Sequence, residues 1–187
     1  MEISAESFIK LSNLIELDLS NNSLTTIPSR SLAECPGLRR LSLSGNRISD
    51  VKSRSFLPLT NLNWLDLSNN VIYHLDIDAF IGLRSLQVLK LQSNHLQTIP
   101  SASQSFVQFL SIRLSLDIYD NQWRCDCHLK SFRDWIITNQ ISMTIKPVCF
   151  MPTRLQGNVI FFLFKFSPAC LSQCLNPSLN SFNQKKT

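Results

Sequence analysis

The cysteines are the side chains of this 187-residue sequence that most readily do chemistry, and five of the six lie in its last third. Cys125 and Cys127 flank a single aspartate and precede His128, whereas Cys149 and Cys170 stand alone. Thiolates and imidazole can ligate zinc, and paired thiols can be oxidised to disulfides. A C-x-C pair followed by distant single cysteines is a poor match to zinc-finger spacing, so we expect disulfides and no metal site. Spacing alone leaves three pairings of these four cysteines open.

The other two cysteines have different expected roles. Cys35 occupies a position that leucine fills elsewhere in the sequence, so we expect it to be buried and inert. Cys174 is left over near the end of the chain, where it is compatible with a free thiol or an intermolecular bridge. Because disulfides persist in oxidising compartments, the cysteines together predict an extracellular or cell-surface location.

No set of side chains in this sequence predicts catalysis. It contains no plausible Ser-His-Asp arrangement, no glycine-rich phosphate loop and no carboxylate pair beyond those expected at the surface. The three histidines fall on turns or at the start of a terminal helix, where we expect them to be solvated: His74, His95 and His128. We therefore predict that the protein is not an enzyme, has no catalytic residues and needs no cofactor.

Charge and hydrophobicity exclude two further classes. The net charge is +5, but the basic residues never form a dense run, so we expect no nucleic-acid partner. The longest apolar run, residues 159–164, is far shorter than the roughly 20 residues that cross a bilayer. The chain also begins without a signal peptide and in the middle of a repeat, from which we expect N-terminal sequence, including a cap, to be missing.

A repeat of 24 residues organises the first two thirds of the chain. Four segments fit L-x-x-L-x-L-x-x-N-x-L/I without gaps: residues 14–24, 38–48, 62–72 and 86–96. Two leucines separated by one residue point to the same face of a strand, so successive strands would stack in parallel around a continuous core. A fifth unit is irregular, because Asn121 follows Asn94 by 27 residues and Arg113 stands where the leading leucine belongs.

One asparagine recurs in every unit at the point where the chain leaves the strand. A buried carboxamide offers two donors and an acceptor to the backbone of neighbouring coils. We interpret these residues as a structural ladder: Asn22, Asn46, Asn70, Asn94 and Asn121. The repeats resemble those of the leucine-rich-repeat family, which implies an α/β solenoid with a curved parallel β-sheet on its concave face.

The cysteines lie in a segment whose motifs are specific. It reads N-x-W-x-C-D-C, then a helix with Trp135, then C-x-x-P-x-R-L-x-G, and finally A-C. The helix would carry one apolar face: Leu129, Phe132, Trp135 and Ile136. The pattern resembles the cysteine-rich C-terminal flank of extracellular leucine-rich-repeat proteins. The resemblance implies a disulfide-bonded cap with the pairs Cys125–Cys149 and Cys127–Cys170.

These patterns divide the chain into three parts. We assign residues 1–121 to the repeats, residues 122–174 to the cap, and residues 175–187 to a polar tail that we expect to be disordered.

The cap is most similar to that of Kekkon-like proteins, through L-K-S-F-R-D-W, P-T-R-L-Q-G and A-C. That resemblance implies a fragment of the ectodomain of a membrane-anchored cell-surface protein, which regulates adhesion or signalling by binding a protein partner. The sequence departs from that family at two places: Pro168 stands where the family usually has phenylalanine, and residues 171–187 show no immunoglobulin strand pattern. A secreted matrix protein with a structural role is the alternative.

A protein partner would bind the concave face, because the third, fifth and seventh positions of each strand motif point away from the core. The candidate ligand-binding residues are Glu16, Asp18, Arg40, Trp64, Asp66, Val88 and Lys90. The face also takes in Ser115, Asp117 and Tyr119 if the last strand is in register. Trp64 resembles a binding hot spot, although it could instead cover its neighbours or be shielded by a glycan.

One N-x-S/T sequon without an intervening proline is present, at Asn21-Asn22-Ser23. Its acceptor, Asn21, is therefore a candidate for N-glycosylation in a secreted protein.

Overall fold

The computed structural model describes residues 3–100, 113–126 and 129–162. Its strands are β1 (Glu16–Asp18), β2 (Arg40–Ser42), β3 (Asp50–Val51), β4 (Trp64–Asp66), β5 (His74–Leu75), β6 (Val88–Lys90) and β7 (Ser115–Asp117). One strand from each repeat joins a parallel five-stranded sheet in the order β1-β2-β4-β6-β7, and β3 pairs with β5 in a second, smaller sheet. The predicted repeat solenoid is confirmed.

The core consists of equivalent layers stacked along the solenoid. The central leucines of the inner strands are fully buried and lie in register: Leu41, Leu65 and Leu89. On the other side of the core, the rings of Phe56 and Phe80 stack with their centroids 6.0 Å apart. A short helix, α1 (Ser29–Leu32), lies in the first complete repeat. Cys35 is fully buried, as predicted, and burial raises the pKa of its thiol.

The recurrent asparagines join each coil to its neighbours through their carboxamides. Asn70 Nδ2 donates to the carbonyl of Leu43 in the preceding coil at 2.9 Å, and its Oδ1 accepts from the amide of Ile48 at 3.0 Å. The same pair of contacts recurs at Asn46, Asn94 and Asn121. Asn22, which follows β1, is exposed and donates within its own turn, to Leu19 and Ser20.

The residue before each ladder asparagine adopts a left-handed backbone conformation. The φ angle there lies between 52° and 68° in all five units: Asn21, Gly45, Asn69, Ser93 and Asp120. Glycine and asparagine enter this region at the lowest steric cost, which explains the residue types at three of the five positions. At Gly45 an added Cβ atom would overlap Oδ1 of Asn21 in the preceding coil, so a larger residue there would force the Asn21 side chain to move.

The irregular fifth repeat keeps the register of the sheet. Leu116 pairs with Leu89, and both it and Ile118 are buried, as their positions in the motif predict. Arg113, which aligns with the leading leucines, is exposed. Leu114 is buried instead, so the apolar side chain is supplied one residue later than the regular motif would place it.

The cap closes the end of the solenoid with a helix, α2 (Lys130–Thr138). Phe132 and Ile136 are buried on its inner face, and half-buried Trp135 stacks on Phe132 with the ring centroids 6.0 Å apart. Trp123 is fully buried beside them, and its indole Nε1–H donates to the carbonyl of Ile118 at 2.9 Å. The cap therefore continues the apolar core of the repeats.

Cys125 and Cys149 form a disulfide, which is the first of the two pairs that the family resemblance implies. Cys125 is therefore not available as a zinc ligand, and the described part of the chain holds no group of three His, Cys, Asp or Glu side chains that could bind a metal ion. The second implied pair, Cys127–Cys170, lies outside the described residues.

Several other predictions also fall outside the described ranges: those for His128, Cys174 and the polar tail at residues 175–187. Within residues 3–100, 113–126 and 129–162, no helix combines the length and apolar character that a membrane span requires.

Candidate functional site

The concave face is formed by the side chains of β1, β2, β4, β6 and β7 that point away from the core. Strand pairing aligns them in rows across the sheet. The first row is Glu16, Arg40, Trp64, Val88 and Ser115, and the second is Asp18, Ser42, Asp66, Lys90 and Asp117. All seven candidate binding residues thus lie on four adjacent strands of one surface, and Ser115 and Asp117 extend it in register.

Trp64 lies at the centre of this face and is partly buried. The guanidinium carbon of Arg40 lies 4.5 Å from the centroid of its ring, and Nζ of Lys90 lies 5.5 Å from it. Both distances are within the range of cation–π attraction. The indole therefore holds two cations from the two neighbouring strands, a contact that the strand pattern of the sequence does not reveal.

Each of these cations also faces a carboxylate on the same surface. Nε of Arg40 lies 3.7 Å from Oε1 of Glu16, and Nζ of Lys90 lies 3.8 Å from Oδ2 of Asp66. Both separations exceed hydrogen-bond length, and the exposed Arg40–Glu16 pair contributes little to stability. The centre of the face is thus an aromatic ring with two loosely paired cations.

Asp66 lies at the base of the face and is held by hydrogen bonds. It is buried, and its Oδ1 accepts hydrogen bonds from the amide of Ser68 at 2.9 Å and from the hydroxyl of Ser68 at 2.6 Å. The Ser68 hydroxyl also lies 3.0 Å from that of Ser44. Of the seven candidates, Asp66 is the buried one, and its carboxylate is hydrogen-bonded to the protein's own groups.

The acidic residues of β1 are exposed at the edge of the sheet. Glu16 and Asp18 are both open to solvent. The hydroxyl and then the amide of Ser20 hydrogen-bond to Asp18 and hold the pKa of its carboxyl below its ordinary value. Asp18 therefore carries a negative charge over a wider pH range than a free aspartate.

The concave face continues into the cap. Asp117 is buried and accepts from the amide of Thr144 at 2.9 Å and from its hydroxyl at 3.1 Å. Next to it, Ser115 forms a parallel bridge with Ser142. Sequence reasoning missed Ser142 and Thr144, because no repeat motif marks the cap segment that extends the sheet.

Gln92 follows β6 at the seventh position of its strand motif, where the three preceding repeats have serine. Its side chain is buried, and its Oε1 has no hydrogen-bond partner among the described residues. An unpaired buried acceptor costs free energy. The Oε1 atom of Gln92 would therefore gain from a hydrogen-bond donor supplied at this face.

Asn21, the glycosylation candidate, lies at an exposed turn at the end of β1. Its backbone amide donates to the carbonyl of Ser44 at 2.8 Å, and its side chain lies against Gly45.

The histidines on the repeats lie away from the concave strands. His74 belongs to β5, and its Nε2 lies 2.8 Å from Oδ1 of Asp76. His95 is exposed, with its Nδ1 3.2 Å from Nε2 of Gln122. Neither histidine lies next to a nucleophile in these contacts.

Comparison with known proteins gives one family match and several relatives. Residues 2–48 and 36–96, together half of the chain, match the family model described as leucine rich repeat. Human leucine-rich repeat-containing protein 15 is 36% identical over 47 residues, which are 24% of this chain and 8% of that protein. Human immunoglobulin superfamily member 10 is 28% identical over 105 residues, which are 50% of this chain and 4% of that protein.

Mouse SLIT and NTRK-like protein 6 is 32% identical over 75 residues, which are 40% of this chain and 9% of that protein. Among solved structures, the crystal structure of a TLR13–ssRNA13 complex matches with a TM-score of 0.60 and 30% identity, covering 66% of this chain and 17% of that one. The matched segments thus span less than a tenth of each of the three relatives.

Proposed function

Because the chain belongs to the leucine-rich repeat family, we propose that it is a protein–protein interaction module whose concave face is the recognition surface. The proposal makes the chain a binding domain and not an enzyme. The fold supports this proposal because a solenoid presents one strand per repeat along an extended surface, which is how repeat proteins form binding sites.

Trp64 is the observation that carries the proposal. Its indole is partly buried, yet it stands on a sheet face beside Arg40 and Lys90. Tryptophan and arginine are the residues most enriched among binding hot spots, and such residues cluster near the centre of an interface. The position of Trp64 on the middle strand of five supports that role.

We further propose that the full-length protein is extracellular, with a cell-surface receptor or a secreted ligand as its partner. The Cys125–Cys149 disulfide supports an oxidising compartment. The match to a protein named as an immunoglobulin superfamily member also supports this proposal, because the Kekkon-like proteins that the cap resembles join leucine-rich repeats to an immunoglobulin domain. Regulation of adhesion or signalling from the plasma membrane is the role that fits these features, and a structural role in the matrix is the alternative.

A binding screen tests both roles. The oxidised protein would be screened against arrays of cell-surface ectodomains, secreted ligands and matrix proteins, with Trp64→Ala as the matched variant. We expect an ectodomain or a secreted ligand to bind, and the Trp64→Ala variant to lose that signal. A fibrous matrix protein as the only partner would favour the structural alternative. A partner that binds the Trp64→Ala variant as strongly as the original would exclude the centre of the concave face.

A further inference from the structure

The contacts around Trp64 also indicate what kind of partner segment the concave face recognises. Resting on the proposed function above, we propose that Arg40 and Lys90 bind the carboxylates of an acidic segment of a partner protein, with Trp64 between them as the apolar contact. The partner is thus identified by its chemistry, as a protein segment with acidic side chains facing β2 and β6.

The two cations are held in place before a partner arrives. Arg40 and Lys90 both lie against the indole of Trp64, at 4.5 and 5.5 Å from its centroid. Since each cation is within these distances of one point, the two charges are at most about 10 Å apart, close enough for one short segment to reach both. A long side chain already ordered by a ring loses less entropy when it binds.

Most of the hydrogen-bonding capacity of these cations is unused by their carboxylate neighbours. A guanidinium has five N–H donors and an ammonium has three. Within the described residues their ion-pair contacts are at 3.7 and 3.8 Å, which are too long for hydrogen bonds, and their side chains are 48% and 33% exposed. A partner carboxylate can therefore form shorter contacts than those present.

After an exchange of partners, each original carboxylate would still have hydrogen bonds or water. If Lys90 turns toward a new carboxylate, Asp66 keeps both hydrogen bonds from Ser68. If Arg40 does so, Glu16 returns to water, because its side chain is already 69% exposed. At Asp66, which would lose its cation, the Ser68 hydrogen bonds offset part of the penalty for separating a buried ion pair.

The neighbouring charges favour a protein segment over a polyanion. Glu16 and Asp18 are exposed on the edge strand β1, and Glu16 is the register partner of Arg40 on β2. A nucleic acid carries a phosphate at every nucleotide and would place some of them against these carboxylates. A protein segment can present acidic residues to Arg40 and Lys90 and a basic or neutral residue to β1.

Nuclear magnetic resonance of the three tryptophan indole groups tests this inference. The probes are a short blocked peptide with one Lys in its first half and two Glu in its second, the same peptide with Gln for both Glu, and a single-stranded RNA of similar length. Comparison with Trp64→Phe assigns the Trp64 signal. The buried Trp123, whose Nε1–H is bonded to Ile118, is an internal control.

We expect the acidic peptide to shift the Trp64 signal and to leave the Trp123 signal unchanged. The double variant Arg40→Gln/Lys90→Gln should weaken binding of the acidic peptide about tenfold or more, because each lost charge-assisted contact costs affinity. The matched double variant Lys52→Gln/Arg54→Gln removes two exposed charges from the returning side of a coil and should leave the affinity unchanged.

Three results would overturn the inference: equal binding of the Gln peptide, tighter binding of the RNA at Trp64, or no shift of the Trp64 signal by the acidic peptide. Its failure is separable from failure of the proposed function by using the partner found in the screen. If binding of that partner depends on Trp64 but not on Arg40 and Lys90, the concave face remains the recognition surface and only the acidic preference is wrong. If it depends on none of the three, both proposals fail.

Discussion

At the scale of single residues, the ladder asparagines bond to buried backbone groups of the preceding coil. Replacing Asn70 by alanine should lower the free energy of unfolding by about 1–3 kcal/mol, because the amide of Ile48 and the carbonyl of Leu43 lose their partner. Asn22→Ala is the matched control, since Asn22 has the same place in the repeat but is exposed. Denaturant titration of both variants checks the ladder, and equal losses would contradict it.

Asp76 gives the protein a pH-dependent contribution to stability. A hydrogen bond from the amide of Ser53 at 2.7 Å, followed by one from His74, holds the pKa of the Asp76 carboxyl below its ordinary value. A lowered folded-state pKa stabilises the fold above the unfolded-state pKa, about 3.9, and that contribution is lost as the pH falls through the folded value. Asp76→Asn should therefore reduce the urea midpoint at pH 7.5, and the difference from the original protein should shrink by pH 3. A difference of the same size at both pH values would refute this assignment.

Some contacts of single residues can be predicted from a sequence pattern, and others cannot. The recurrence of asparagine every 24 residues predicts a ladder, because repetition in sequence becomes stacking in space. The cation contacts of Trp64 and the unpaired Oε1 of Gln92 depend on side-chain rotamers at single coils. No repeat records them, so they became visible only in the structure.

At the scale of elements, the turn that ends each inner strand requires a left-handed residue. Gly45→Ala should destabilise the protein by about 1–2 kcal/mol from the backbone alone, and by more because the new Cβ overlaps Asn21. Gly157→Ala is the matched control: its φ is also positive, at 79°, but no atom lies within 4 Å of the added Cβ. Thermal unfolding of the two variants compares them, and a smaller loss for Gly45→Ala would argue against the overlap.

The cap depends on its disulfide. In the chain-entropy model, the Cys125–Cys149 bond, with a sequence separation of 24, contributes about 3 kcal/mol by restricting the unfolded chain. A Cys125→Ser/Cys149→Ser variant should therefore unfold at lower denaturant concentration than the original protein. The matched control is Cys35→Ala, whose unfolding should respond to oxidant and reductant as that of the original protein does.

Peptide mapping under non-reducing conditions tests the connectivity of the cap. It should recover Cys125–Cys149 and Cys127–Cys170, and a Cys125–Cys127 peptide would disprove this connectivity.

The irregular elements mark where the repeat pattern stops predicting. Strand β7 keeps its register because Leu116 and Ile118 match the motif, but the buried leading position moved from residue 113 to Leu114. The extension of the sheet through Thr144 depends on hydrogen bonds to Asp117 across 27 residues of sequence. Such contacts depend on how the cap packs on the last coil. The cap occurs once in the chain, so no repeated pattern in the sequence indicates them.

At the scale of the whole molecule, the solenoid converts a linear repeat into one continuous surface with ordered charges. Exposed charges steer association more than they hold a complex together. We therefore expect Arg40→Glu and Lys90→Glu to slow association with the partner and to change its salt dependence, with a smaller effect on dissociation. Stopped-flow or surface-plasmon measurements at two ionic strengths separate the rates. An effect confined to dissociation would show that the charges act only within the formed complex.

The most direct test of the concave face as the recognition surface compares two exchanges of an aromatic residue for alanine. Trp64 lies at the centre of the inner sheet, whereas Tyr73, immediately before β5, is 61% exposed on the returning side of the coils. Equilibrium affinity for the partner found in the screen would be measured for both variants, after circular dichroism has shown equal folded fractions. We expect Trp64→Ala to weaken binding about thirtyfold, corresponding to about 2 kcal/mol, and Tyr73→Ala to leave it unchanged. Loss of affinity in Tyr73→Ala with full affinity in Trp64→Ala would contradict this expectation and would place the interface on the returning side of the solenoid.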